Sequence, residues 1–110
     1  MALIDRAKRV GLHLPVEVRG EDAGGGRFTE LTRSVNVSGG GILFESHRSI
    51  PVGSRIVLVI ELPESLRHHF GDREVYRARA VVCRVEHLEG QEVRRIGARF
   101  LGEAEPDAVV

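Results

Sequence analysis

Apolar and polar residues alternate with a period of two along most of this chain, which is the pattern of β-strands that bury one face. Turn-forming glycine, proline, serine and acidic residues interrupt the alternation at short intervals. The pattern predicts six strands, over residues 12–18, 28–37, 42–45, 55–62, 74–86 and 93–101. It indicates an all-β fold, a small antiparallel barrel or sandwich, and a barrel is favoured because closure leaves no strand edge exposed.

Three segments depart from simple alternation, and each departure carries a structural prediction. Residues 55–62 are apolar at nearly every position, which indicates a central or barrel-lining strand. Residues 63–71 begin with proline and end with glycine, so they form either a loop or a short helix. Within residues 74–86 the apolar phase shifts near Val82, which predicts a β-bulge or a bend in that strand.

Length and composition indicate one domain with its own core. The 110 residues suffice for a single barrel over about residues 10–101, preceded by a basic loop (1–9) and followed by an acidic tail (102–110) that is expected to fray. The lone Cys83 excludes an internal disulfide, and its place in an apolar strand predicts a core residue or an inert one. Neither a membrane-spanning run nor a signal-peptide pattern is recognisable, so we expect a cytoplasmic protein without membrane insertion.

The charge of the whole chain is balanced, with 16 basic and 16 acidic residues, but its local distribution is uneven. Zero net charge and a low aromatic content argue against a domain that binds nucleic acid polymers, since such domains use basic grooves and stacking side chains. Arg6, Lys8 and Arg9, however, form a basic cluster near the N-terminus. The cluster fits either a solvated chain end or a contact for an anionic ligand.

A glycine-dense corner lies between the second and third predicted strands and reads Asn36-x-Ser38-x-x-Gly41. It offers an amide, a hydroxyl and backbone N–H groups that few Cβ atoms shield, so it suits a flat anionic ligand. The same residues are also typical of an ordinary tight turn. The residues alone leave both interpretations open.

Four stretches in a fixed order resemble the PilZ domain family. They are the basic segment before Leu14-Pro15-Val16, the Asn36-x-Ser38-x-x-Gly41 corner, Pro51-Val52-Gly53-Ser54 and the ending Ile96-Gly97-Ala98-Arg99-Phe100. The resemblance covers about residues 6–101. It implies a bacterial, six-stranded antiparallel β-barrel of PilZ type with little helix, and a receptor for the second messenger cyclic di-GMP.

The resemblance also implies a set of ligand-binding residues. The family's pattern joins Arg-x-x-x-Arg in an N-terminal loop to Asp/Asn-x-Ser-x-x-Gly on the barrel. The barrel part matches in full, whereas Arg9 matches only the second arginine and Asp5 stands where the first belongs. Binding is expected to be weaker than with both arginines, because one lost charge-assisted contact costs about 1.5–3 kcal/mol. The residues expected to contact the ligand are Arg6, Lys8, Arg9, Asn36, Ser38 and Gly41.

The implied function is that of a receptor domain rather than an enzyme. Nucleotide binding would order the N-terminal arginine loop, and the altered surface would signal to a protein partner. The alternative is a degenerate PilZ domain that binds no nucleotide and acts as a protein-interaction adaptor in pilus or motility systems, which Asp5 favours. Neither a nucleophile arrangement nor metal-ligand spacing is recognisable in the sequence. We therefore expect no catalytic residue, no metal and no cofactor beyond the cyclic di-GMP ligand, in a monomer or weak dimer.

Overall fold

Six antiparallel strands close into one barrel in the computed structural model, which describes residues 12–108. The strands are β1 (Pro15–Glu21), β2 (Arg27–Val37), β3 (Gly41–Ser46), β4 (Arg55–Glu61), β5 (Val75–His87) and β6 (Arg94–Glu103). Around the barrel they follow the order β1-β2-β3-β6-β5-β4, and β4 pairs with β1 to close it. The predicted all-β, six-stranded barrel is confirmed.

The core consists of the inward-facing side chains of the six strands. Ile42, Phe44, Leu58 and Ile96 have no exposed surface, and each such apolar side chain contributes about 1.5–3 kcal/mol through burial. In β4 the consecutive residues 56–58 are all buried, although neighbouring side chains of a strand point to opposite faces. The strand also lies between β5 and β1 in the closed barrel, so the prediction of a barrel-lining strand is confirmed.

The acidic segment after β6 packs against the barrel as far as the structure describes it, which differs from the fraying expected from its sequence. The N–H of Ala104 donates to the carbonyl of Arg77 at 3.0 Å. Nη1 of Arg19 donates to the carbonyls of Pro106 (3.4 Å) and Ala108 (3.3 Å), and Ala108 is buried. The expectation of a frayed end considered only the acidic side chains, whereas backbone groups hold this segment in place.

The phase shift predicted in the fifth strand is a β-bulge. Val82 pairs with Ala98 and Arg84 pairs with Gly97, so Cys83 is the extra residue between them. Cys83 is exposed, which corrects the prediction of a core cysteine. The apolar neighbours of Cys83 suggested burial. An extra residue in a bulge, however, does not follow the alternation between inner and outer faces that decides burial elsewhere in the strand.

A short helical segment connects β4 and β5. Helix α1 spans Glu64–Arg67 and is followed by a 3-10 turn over His68–Phe70, which ends at Gly71 with a φ of 71°. Glycine tolerates this left-handed conformation better than other residues and commonly ends a helix in it. The helical alternative for this segment is therefore confirmed. Among residues 12–108, no helix has the length and apolar character needed to cross a membrane.

Tyr76 at the start of β5 packs between two phenylalanine rings. Its ring centroid lies 5.3 Å from that of Phe70 and 5.9 Å from that of Phe100. Burial, assisted by the negative charge of Glu103, raises the pKa of Tyr76 above its ordinary value of 10.0, and Arg73 opposes this effect. The fold therefore favours the neutral phenol over the phenolate.

We expect the protein to lose stability at alkaline pH through Tyr76. Below pH 10 the phenol keeps its proton in both the folded and the unfolded state, so its contribution is fully present. As the pH rises through the raised pKa of the folded state, the unfolded chain ionises first and the contribution is lost. The chain has one tyrosine and no tryptophan, so phenolate absorbance measures this group alone. In Tyr76→Phe the alkaline loss of unfolding free energy should be smaller, and an unchanged pH profile would contradict this assignment.

Candidate functional site

The corner between β2 and β3 brings the three barrel residues of the expected site into one turn. Asn36 lies in β2, Ser38 follows its end and Gly41 begins β3. The backbone N–H of Ser38 donates to the carbonyl of Gly41 at 2.8 Å and closes the turn. The other expected contacts, Arg6, Lys8 and Arg9, lie outside the described residues.

The hydroxyl of Ser38 is engaged within the turn itself. Its Oγ accepts hydrogen bonds from the N–H groups of Gly40 and Gly41, each at 3.2 Å, and donates to the carbonyl of Gly41 at 3.4 Å. Ser38 is also buried. The tight-turn interpretation therefore describes this side chain, and its expected contact with a ligand stays a prediction.

Gly41 is required by the close approach of β3 to β6. An ideal Cβ at this position would lie 2.4 Å from the carbonyl oxygen of Ala98, far closer than any side chain tolerates. On the other side of Gly41, the N–H of Phe100 donates to the carbonyl of Gly40 at 2.9 Å and fixes β6 there. The glycine that ends the motif thus has a packing reason that does not involve a ligand.

Asn36 is carried to the outer face of the barrel by a β-bulge that the sequence analysis did not predict. Ser34 pairs with Phe44, and the next pair is Asn36 with Leu43, so Val35 is the extra residue. Ser34 and Phe44 are fully buried inside the barrel. Since β3 alternates, Leu43 and its partner Asn36 belong to the opposite, outer face.

A row of paired residues runs from Asn36 across four strands of the outer face. Asn36 in β2 pairs with Leu43 in β3, Leu43 pairs with Gly97 in β6, and Gly97 pairs with Arg84 in β5. We call these four residues the Asn36 row. Adjacent strands lie about 4.8 Å apart, so the row extends over about 14 Å of surface.

Strand β6 adds two arginines to the same face. Arg95 and Arg99 lie two residues to either side of Gly97 and therefore share its outward direction, whereas Ile96 between them is fully buried. Arg99 is exposed and is the cross-strand partner of Gly41. Two arginines that were not among the ligand contacts expected from the sequence thus flank the Asn36 row.

This part of the outer face carries more arginines than glutamates. The arginines are Arg33, Arg84, Arg95 and Arg99; the glutamates are Glu45 and Glu86, and both are cross-strand partners of Arg95. Nε of Arg33 pairs with Glu45 at 3.3 Å, and Nε of Arg84 pairs with Glu86 at 2.9 Å. Nε of Arg95 is buried and has no hydrogen-bond partner among the described residues. The face therefore attracts anions. A metal ion is a different matter, since residues 12–108 contain no group of three or more His, Cys, Asp or Glu side chains placed to hold one.

Ser34 fixes the point at which the N-terminal segment joins the barrel. Its Oγ accepts a hydrogen bond from the N–H of Leu14 at 2.9 Å and donates to the carbonyl of Leu12. Its N–H donates to the carbonyl of Leu14 at 2.9 Å, and its own carbonyl lies 3.1 Å from Nδ1 of His13. Arg9 is three residues before Leu12, and three residues reach at most about 11 Å.

Comparison with known proteins matches the chain to one family. The PilZ domain family matches residues 5–109 of the chain. The structure of the Bacillus subtilis inhibitor of motility (MotI/DgrA) is similar with a TM-score of 0.66 and 26% identity, over 90% of this chain and 43% of that one. The structure of K. pneumonia MrkH shares the fold, with a TM-score of 0.62 and 17% identity, over 91% of this chain and 42% of that one.

This chain spans less than half the length of either of those two proteins. No curated protein matches its sequence. The similarity therefore concerns the barrel domain.

Proposed function

The chain belongs to the PilZ domain family, and from this premise we propose that it is a receptor for cyclic di-GMP. The family is one of cyclic di-GMP receptors. The proposed site is the outer barrel face around Asn36, completed by Arg9 from the N-terminal segment. Binding would order that segment over the nucleotide and change the surface offered to a protein partner, as in disorder-to-order switches triggered by phosphate charge.

The observation that carries this proposal is the position of Asn36. The bulge places Asn36 on the outer face, and Ser34, only two residues before it, holds the start of the described chain at Leu12 and Leu14. The described chain therefore begins beside the corner, and Arg9 precedes Leu12 by three residues in the sequence. In the proposed complex, an anion bound there would contact residues from both parts of the family's pattern.

The chemistry of the ligand fits the residues assigned to it. Cyclic di-GMP carries two phosphate charges and two guanine bases. An arginine such as Arg9 forms forked hydrogen bonds to a phosphate or to O6 and N7 of guanine, and it also stacks on a purine. The amide of Asn36 suits a guanine edge, because it offers a donor and an acceptor side by side. Arg6 and Lys8 add positive charge that attracts the dianion.

Calorimetric titration of this chain with cyclic di-GMP tests the proposal. We expect saturable binding that Arg9→Ala weakens by about ten- to a hundredfold, since a charge-assisted contact contributes about 1.5–3 kcal/mol. Asp5→Arg restores the family's arginine spacing and should strengthen binding by a similar factor. An unrelated linear dinucleotide serves as the control ligand. Absence of heat up to about 1 mM cyclic di-GMP, which corresponds to about 4 kcal/mol of binding free energy, would refute the receptor proposal.

The second candidate function is that of a protein-interaction adaptor that binds no nucleotide. Two observations favour it: Asp5 occupies the position of an expected arginine, and Ser38 and Gly41 both have roles in the turn and strand packing. Intact Ser38 and Gly41 therefore do not distinguish a receptor from an adaptor. A chain that fails to bind cyclic di-GMP in the titration above, including the Asp5→Arg variant, would support this second function.

A further inference from the structure

Two β-bulges stand at the two ends of the Asn36 row. In β2 the extra residue Val35 precedes Asn36, and in β5 the extra residue Cys83 precedes Arg84. Without the first bulge Val35 would pair with Leu43, and without the second Cys83 would take the place of Arg84. Each bulge therefore redirects one polar side chain to the outer face, which is a recognised use of bulges near functional sites.

The middle of the row, Leu43 and Gly97, carries no polar side chain, and we call it the floor of the row. Leu43 is 6% exposed, and Gly97 is buried and has no side chain, so little of the floor between the two bulges is accessible to solvent. An ideal Cβ on Gly97 would find its nearest neighbour, Cβ of Arg84, at 3.5 Å, which is ordinary contact. The Arg84 stem thus borders the floor. The polar groups of the row therefore lie at its two ends, where they can contact the polar edges of a base.

The arginines beside this floor retain capacity to bind an anion. Arg99 is exposed and forms no ion pair with any residue between 12 and 108. The side chain of Arg84 is 56% exposed, and its guanidinium forms an ion pair with Glu86 through Nε. The remaining nitrogens of such a guanidinium point elsewhere and can donate to a phosphate or a guanine.

We infer that Arg84 and Arg99 bind the nucleotide from the β5–β6 side of the row and supply the charge that Asp5 removes from the N-terminal side. The inference rests on the proposed function, because it adds residues to the same ligand site. It concerns this chain in particular, since the family's pattern places both arginines in the N-terminal loop and none on these strands. Arg95 contributes positive charge nearby, but it is half-buried and less suited to direct contact.

The test compares arginines that match in exposure and pairing but differ in position. Arg84 pairs with Glu86 at 2.9 Å with 56% exposure, and Arg73 pairs with Glu103 at 3.0 Å with 49% exposure. Arg73 precedes β5, whereas Arg84 lies near its other end. We expect Arg84→Ala and Arg99→Ala each to weaken cyclic di-GMP binding about ten- to a hundredfold, and Arg73→Ala to change it less than about threefold.

The glutamate partners provide a test of opposite sign. Glu86→Gln removes the ion pair that holds Arg84 and should strengthen binding severalfold, whereas Glu103→Gln should leave it unchanged. The unfolding midpoint of each variant is measured beside its affinity, so that loss of fold is not mistaken for loss of a contact. If the parent chain binds and Arg84→Ala and Arg99→Ala bind equally well, this inference is wrong and the receptor proposal stands. If the parent chain does not bind, both are refuted.

Discussion

Replacing Gly41 with alanine should abolish the fold or lower the free energy of unfolding by about 3 kcal/mol or more. The added Cβ would lie 2.4 Å from the carbonyl oxygen of Ala98, which is backbone and has no rotamer through which to move aside. Relief requires β3 and β6 to separate, and the pairing between them holds the barrel closed. A domain of this size has about 5–15 kcal/mol of stability in total, so the loss is a large part of it.

Gly97→Ala is the matched control for this substitution. Gly97 is also a buried glycine of a paired strand, and it lies in β6 close to the same interface. Its ideal Cβ has no neighbour closer than 3.5 Å, so alanine fits and should change stability by less than about 1 kcal/mol. Urea unfolding of the two variants measures the difference. Equal losses in the two variants would contradict the view that the close contact with β6 makes glycine necessary at position 41.

The second large effect is expected at Ser34, which joins the N-terminal segment to the barrel. Ser34→Ala removes the acceptor of the Leu14 N–H and the donor to the Leu12 carbonyl. A buried polar group left without a partner costs about 1–3 kcal/mol, so the two lost hydrogen bonds, of which the one to Leu12 is only partly buried, together cost about 2–6 kcal/mol. The amide hydrogen of Leu14 should also exchange with solvent much faster, which localises the effect.

Ser46→Ala separates this role from the loss of a buried hydroxyl in general. Ser46 is as fully buried as Ser34, and its Oγ donates to Glu30 at 2.6 Å and accepts from the N–H of Arg48 at 2.9 Å. Its partners are more exposed and can turn to water, so the stability loss should be smaller. If cyclic di-GMP binds, Ser34→Ala should weaken it more than Ser46→Ala does. The same loss of affinity in both variants would contradict the view that Ser34 positions the arginine segment.

The residues of the Asn36-x-Ser38-x-x-Gly41 corner have different roles in the structure. Ser38 accepts a hydrogen bond that closes the turn, and the absence of a side chain at Gly41 lets β6 approach β3 closely. The described structure therefore explains the presence of both residues without a ligand. Asn36 lies on the outer face, where a bulge brings it beside strands that carry several arginines. Substitutions at Ser38 or Gly41 would disturb the turn or the strand packing, so we expect substitutions at Asn36 and at the arginines to test ligand binding more cleanly.

Most of the fold could be predicted from local sequence. Alternation predicts a strand because successive side chains point to opposite faces, and six such segments with short turns leave few alternatives to a small barrel. The shift of apolar phase near Val82 similarly predicted the bulge in β5. The bulge in β2 gave no such signal, because Val35 and Val37 on either side of Asn36 are both apolar and continue an apparent alternation.

The sequence by itself determined the strands, the turns and the corner, since these depend on residues close together in the chain. Only the tertiary structure decided which distant side chains share the outer face with Asn36. Arg84 reaches that face through the order β2-β3-β6-β5 and through the bulge at Cys83. The physical reason is that barrel closure fixes strand order and register through long-range pairing, and a shift of one residue would turn each of these side chains to the opposite face.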